Sequence, residues 1–278
     1  SEEFAMDRKY ISFASDARGG PPGKRTYLRN TRKLGNLMQQ TLSSARPPAV
    51  AVMFYPADAG RLRSTVEALL AQVPPAPPGP GPKAIIVPHA GYVYSGPIAA
   101  HAYARLAPEA DAITRVVLLG PCHQVPVRGL AAPTVAAFAT PLGPVEVDQA
   151  AVSALRELPF VRFNDAAHAP EHSLEVQLPF LRIVTPHARV VPLAVGDASP
   201  DEVAAVLDRL WGGPETRIVI SSDLSHYLPY AEAQQVDMDT AQAIERLDYG
   251  ALSGTNACGY LPISGLLAIA RHRSLNPT

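Results

Sequence analysis

Four short runs of β-branched and aliphatic residues, at 84–87, 116–119, 190–194 and 218–221, are separated by stretches long enough for helices. A run of apolar residues without polar alternation is a strand covered on both faces, and strands alternating with helices build a mainly parallel sheet. Helix-like stretches fall at 97–106, 148–158, 171–181, 200–210 and 231–247, with a last one at 263–271. The pattern predicts an α/β fold, a single domain with a mainly parallel central sheet flanked by helices. A chain of 278 residues can bury a full core of that kind without staples.

The first 45 residues read differently. Arg8, Lys9, Arg18, Lys24, Arg25, Arg29, Arg32 and Lys33 are interleaved there with Gly and Pro, so 1–45 is expected to be a basic, poorly structured leader and 46–278 the α/β domain. From Arg46 onward, "RPPAVAVMFYPADAG" reads as a strand or loop, followed by a helix that starts near Ala57 or Asp58 and carries Val66, Leu69 and Leu70 as its apolar stripe. "PPAPPGPGP" is then a stiff connector. Lys and Arg number 24 against 25 Asp and Glu, which leaves no global charge to recruit nucleic acid. No apolar run reaches membrane-spanning length, so no membrane partner is expected either. Two cysteines make no disulfide framework, and reduced thiols predict a cytoplasmic protein.

The chemistry gathers just beyond the strands. His89 in "KAIIVPHAGYVYSG" and His123 in "RVVLLGPCHQ" each follow an apolar run, where α/β sheets build their ligand crevices. Neutral imidazole is a metal ligand and a proton carrier, so two of them in one register point to coordination or catalysis. Tyr92 and Tyr94 are placed to wall a pocket. Asp223 and His226 in "RIVISSDLSHY" stand three apart, a spacing that puts both on one side of a helical turn, as a proton-handling pair or as further ligands; a helix cap is the plainer role for Asp223. In "APEHSLEVQLPFL", Leu174, Leu178 and Leu181 read as core and His172 could reach the site, while Glu171 and Glu175 read as first-turn and surface acids. Cys258 precedes a helix start, which favours thiolate, although an inert buried thiol is the commoner role of an isolated cysteine. Cys122 should point away from His123 in an extended segment and is left out of the shell. Walker loops, paired CxxC, HExxH and GxSxG motifs are absent.

"RPPAVAVMFYP", "VPHAGYVYSGPIAAHAYA", "GPCHQ", "EHSLEVQLPFL", "SSDLSHY" and "NACGYLPI", in this order between about 46 and 271, together resemble the Memo family, the B component of the AmmeMemoRadiSam gene set. The resemblance implies a fold similar to the class III extradiol ring-cleaving dioxygenases, which carry non-haem iron. It further implies that His89, His123 and Cys258 are metal ligands, and that Asp223 and His226 line the same cavity. A thiolate in place of the carboxylate of the ring-cleaving relatives suits iron or copper, with zinc as an alternative.

The chain departs from the family pattern at several points. Val52 stands where the family usually has Gly, Cys122 where it has Ser or Asn, the stretch 249–256 is short, and the final strand region after Arg271 is missing, which would leave a sheet edge exposed. The leading expectation is a metal-binding protein with redox capacity, in which His226, oriented by Asp223, is acid or base. A non-enzymatic module that uses the old cleft for a small molecule or peptide is the second. A ring-cleaving dioxygenase proper is the third. Tyr92, Tyr94, His172 and Tyr227 are the expected substrate-binding groups, and other AmmeMemoRadiSam proteins the expected partners.

Overall fold

Every residue of the runs "PKAIIV" and "TRIVIS" is buried, as strands sandwiched between helix layers must be. The computed structural model describes residues 11–14, 45–75 and 79–277. Its strands are β1 (Ile11–Ala14), β2 (Ala45–Arg46), β3 (Pro82–Val87), β4 (Arg115–Pro121), β5 (Leu130–Ala132), β6 (Ala137–Phe138), β7 (Val145–Glu146), β8 (Val161–Phe163), β9 (Arg189–Val195) and β10 (Thr216–Ser221). Its helices are α1 (Ala59–Ala71), α2 (Tyr92–Ala104), α3 (Gln149–Ala154), α4 (Asp165–His168), α5 (Leu178–Val184), α6 (Pro200–Arg209), α7 (Tyr230–Glu245) and α8 (Tyr260–His272).

The main sheet runs β1-β3-β10-β4-β9-β5-β8, and β2, β6 and β7 form a small second sheet. From β3 to β9 the pairing is parallel, so β3, β10 and β4 release their chains at one edge of the sheet, with β10 between the two strands that lead to histidines. Two junctions are antiparallel: β5 against β9, and β1 against β3. In the second, Ile11–Ala14, within the segment expected to be a poorly structured leader, covers the outer edge of β3 and satisfies its ladder. The remainder of the leader, 1–10 and 15–44 with its arginines and lysines, lies outside the described residues, as does 76–78 of the connector.

Helix α1 begins where Asp58 accepts the Arg61 N–H at 2.8 Å, and it buries Leu62 and Val66; Leu69 and Leu70 are only half-buried. The expected helix over 171–181 is displaced. Residues 171–174 are irregular, Glu175–Gln177 is one 3-10 turn, and α5 runs on to Val184. The cause is ionic. Glu175 is fully buried, ion-paired with Arg46, and accepts the N–H groups of Ala49 (2.7 Å) and Val50 (3.0 Å) and the Tyr55 hydroxyl (2.5 Å). Arg46 also donates to the carbonyls of His168 at 2.9 Å and Glu171 at 2.6 Å. The reading of Glu175 as a surface acid is therefore wrong, because a carboxylate with four donors aimed at it can be buried without leaving an unpaired charge.

Val52 has φ of 77°, the left-handed region, with its side chain 78% exposed. Its N–H donates to Tyr55 O at 2.8 Å and closes a tight turn. This is the physical reason for a glycine at that place: a β-branched side chain meets its own backbone there, at roughly 1–2 kcal/mol. Val52→Gly is expected to raise stability by about 1 kcal/mol, read as a melting temperature higher by about 2–4 °C in calorimetry. An unchanged or lower value would show that the turn carries no strain.

His168 is buried at 1% exposure, with its Nε2 against Ala131 O at 3.1 Å. Burial, helped by the Arg46 charge, lowers its pKa to about 4 from the ordinary 6.5. The unfolded chain then binds a proton between pH 6.5 and 4 that the folded chain refuses, so stability is full above pH 6.5 and is lost as pH falls toward 4. In His168→Gln the slope of unfolding free energy in that window should flatten by about 1.4 kcal/mol per pH unit, measured by denaturant titration.

Candidate metal centre

Three strand ends and one helix start deliver the site. Past β3 comes His89, past β10 Asp223, and past β4 His123. Asp223 is not on a helical turn, since 222–226 is irregular; its Oδ1 accepts the N–H groups of His89 at 2.6 Å and Ala90 at 3.2 Å and so ties the β3 exit to the β10 exit. That is its capping role, exercised on another strand end rather than on a helix. Cys258 arrives from the loop before α8, its Sγ accepting the Asp223 N–H at 3.3 Å. A Cβ on Gly259 would stand 2.6 Å from Ser222 Cβ, so only glycine lets the sulfur's neighbour come this near the β10 exit.

The donor atoms of His89, His123 and Cys258 all lie within 4.8 Å of one another, and Cys258 Sγ is 3.4 Å from His89 Nε2. Donors bound to one ion at about 2.0–2.3 Å in tetrahedral directions stand roughly 3.5 Å apart, so the arrangement fits one metal ion with little rearrangement.

The second nitrogen of each imidazole decides whether the first can ligate. Ser221 Oγ–H donates to Ser173 O at 2.6 Å and spends its one proton there. Toward His89 Nδ1, at 2.9 Å, the hydroxyl can only accept; Nδ1 therefore carries a hydrogen, and Nε2, on the side of Cys258, is the nitrogen left to ligate a metal. Gln177 holds that hydroxyl with an Nε2–H at 2.8 Å, and the Tyr103 hydroxyl orients the amide by donating to its Oε1 at 3.0 Å. His123 has a charged counterpart. Glu171 accepts from its Nδ1 at 2.9 Å and from its backbone N–H at 2.5 Å, and also from Ser173 N–H at 2.8 Å. Glu171 is 1% exposed, which corrects its reading as a surface acid. A Cβ on Gly120 of β4 would sit 2.8 Å from Ser173 Oγ, so the absence of one lets the Glu171–Ser173 segment lie against the strand end.

Electrostatics follow from these contacts. Burial opposes ionisation of Cys258, but hydrogen bonds to His123 and His89 outweigh it and bring the thiol to about 6. Burial likewise opposes the charge on His123, yet Cys258 and Glu171 raise it to about 10. Glu171 falls to about 2 against its own burial, drawn down by His123 and by the backbone N–H groups. These contacts favour a thiolate facing an imidazolium, and a cation that takes both donors displaces that proton.

The other expected residues separate. His172 joins the cluster, stacked on His123 at 4.8 Å between ring centroids and edge-on to His89 at 5.5 Å, with its pKa lowered by burial. It also stands with His123 and Glu171 in a second group of potential ligands. His226 is half-exposed, its Nε2 3.7 Å from Asp223 Oδ2. Tyr94 and Tyr227 are exposed, at 80% and 103%. Tyr92 does not wall a pocket: it is buried against Tyr55 and Phe180, and its hydroxyl donates to Val176 O at 2.8 Å. Cys122 faces Val125 O at 3.1 Å, outside the cluster. Ser221, Gln177 and Tyr103 had no signal in the sequence beyond the hydroxyl beside a strand end.

Comparison with known proteins follows the same outline. The family model for Memo-like proteins matches residues 46–276. A MEMO1 family protein of Sulfolobus acidocaldarius is 34% identical over 255 residues, covering 84% of this chain and 89% of that protein. One from Methanopyrus kandleri is 40% identical over 223 residues, 73% of this chain and 76% of its own. One from Aquifex aeolicus is 40% identical over 208 residues, 73% and 75% respectively.

If the serine fixes the His89 tautomer, Ser221→Ala should weaken metal binding by about 10–100-fold in protein that melting curves show to be folded, although less stable for the buried partners left unpaired. Competition with a chromophoric chelator measures it, and wild-type affinity in the variant would remove the serine from the account.

Proposed function

The chain belongs to the Memo family, and from that premise we propose that it is a metal-dependent protein with redox capacity, in which His89, His123 and Cys258 hold one iron or copper ion. The observation that carries this reading is the convergence of the Cys258 sulfur with His89, whose Nδ1–H is taken by Ser221 and whose Nε2 stands 3.4 Å from that sulfur. Bound iron or copper would supply a one-electron couple and Lewis acidity. Zinc is the redox-silent alternative for the same donors.

The chain's own residues do the rest. Asp223, with Oδ1 held by two backbone N–H groups, keeps Oδ2 beside the His226 ring, and His226 gives or takes a proton at Nε2 where it meets solvent and substrate. His172 and His123 line the open side, their stacked rings offering a flat wall to a bound molecule. Reduced thiolate chemistry of this kind suits the cytoplasm, and the described residues include no helix long and apolar enough to cross a membrane. Partners from the AmmeMemoRadiSam set remain part of the reading.

The second reading, a non-enzymatic module for a small molecule or peptide, draws support from the exposed apolar residues Val52, Met53, Val93, Tyr94, Tyr227 and Tyr230. They belong to the turn before α1, the start of α2 and the approach to α7. Ring cleavage ranks third, because sulfur replaces the carboxylate of the ring-cleaving facial triad.

Protein purified without oxygen should carry about one redox-active metal per chain by elemental analysis, and His89→Ala should lose it. Equal metal content in the two proteins would reject the metal reading. A yellow ring-opened product from a catechol with iron-loaded protein would promote the third reading over the first.

A further inference from the structure

Beside the Asp223 loop a cavity of about 190 Å³ opens between α2 and α7. Its walls are Ile86 and Pro88 of the β3 exit, Ile98 of α2, Leu224 of the β10 exit, and Ala241 and Ile244 of α7. No group of the metal cluster lines it. An apolar cavity of about 150 Å³ holds a benzene-sized ring, so this one has room for such a ring with a short substituent.

The polar groups in the lining are not arranged for an apolar guest alone. Asp237 stands on the α7 face that carries Ala241 and Ile244, and its Oδ1 accepts the Ser225 N–H at 3.0 Å. Ser225 Oγ is buried and meets no hydrogen-bond partner among the described residues. Asp223 is the second carboxylate of the lining, and among the described residues no basic side chain forms a salt bridge with Asp237. An unpaired buried hydroxyl costs free energy until a partner reaches it, and the partly buried carboxylate of Asp237 adds a negative charge beside it. A hydroxyl ligand supplies one hydrogen. A primary ammonium supplies three and the complementary charge.

We propose that this cavity binds a small primary amine with a compact apolar body, the ammonium held by Asp237 and Ser225 and the body held among Ile86, Ile98 and Ile244. The site goes beyond the metal reading and does not depend on it.

Benzylamine is the probe, with benzyl alcohol as its uncharged counterpart of equal size. Calorimetry on metal-depleted protein keeps amine coordination by a metal out of the measurement. Benzylamine is expected to bind with a dissociation constant below about 1 mM, and benzyl alcohol at least about tenfold more weakly. Asp237→Asn, which keeps an acceptor for the Ser225 N–H, should weaken the amine about tenfold. Ile98→Phe, which fills the cavity from a half-buried position, should weaken both probes; melting curves verify that each variant folds. The proposal is overturned if the amine does not bind, if the alcohol binds as well, or if either variant binds the amine like wild type. Loss of metal from His89→Ala is read by elemental analysis, so the two readings fail separately.

Discussion

The Ser221 hydroxyl has a single proton, and the centre depends on where that proton goes. With Ser173 O taking it, the oxygen faces His89 Nδ1 and the Gln177 amide as an acceptor, and the imidazole has one remaining lone pair to offer. Were Ser173 O to turn away, Ser221 could donate to Nδ1 instead and the hydrogen of His89 would move to the nitrogen that faces Cys258. Ser173 is held by the same carboxylate that fixes His123, since Glu171 accepts both its N–H and the His123 Nδ1–H. The two imidazoles are therefore set by one short segment, 171–173, and not by their own strands alone.

That segment is in turn fixed by a buried ion pair. Arg46, at the start of the domain, pairs with Glu175 and grips the carbonyls of His168 and Glu171, while Glu175 gathers the turn that contains Val50 and Tyr55. Burying both charges gives little net stability, because desolvation offsets most of the attraction. What the pair supplies is a unique position for 171–175 between β2 and the strand ends. Removing one partner leaves the other charged and buried, so damage at Arg46 should propagate to His123 through Glu171.

Much of this was legible in the residues. Apolar runs located β3, β4, β9 and β10, and strand-end histidines located the crevice, because burial on both faces and the end of a run are local properties of sequence. The carboxylates were misread for the opposite reason: Glu171 and Glu175 have helical spacing and a helix-start neighbourhood, and only long-range partners such as Arg46 and His123 make their burial tolerable. Tyr92 was misplaced since a tyrosine one turn past a strand end can face a crevice or the core, and its Val176 acceptor comes from another part of the chain. Ile11–Ala14 went unread as a strand because its partner edge, Pro82–Val87, lies some seventy residues on. Val52 was visible as a departure, but its cost appeared only with the positive φ.

Asp223 joins the two halves of the functional reading. One oxygen is saturated by the backbone of the β3 exit, and the other lies between the His89 and His226 rings at 3.9 and 3.7 Å. The same residue lines the apolar cavity, and its backbone N–H holds the Cys258 sulfur. A guest that shifts the 222–225 loop must therefore move an acceptor away from two imidazoles and a donor away from the thiolate in the same motion.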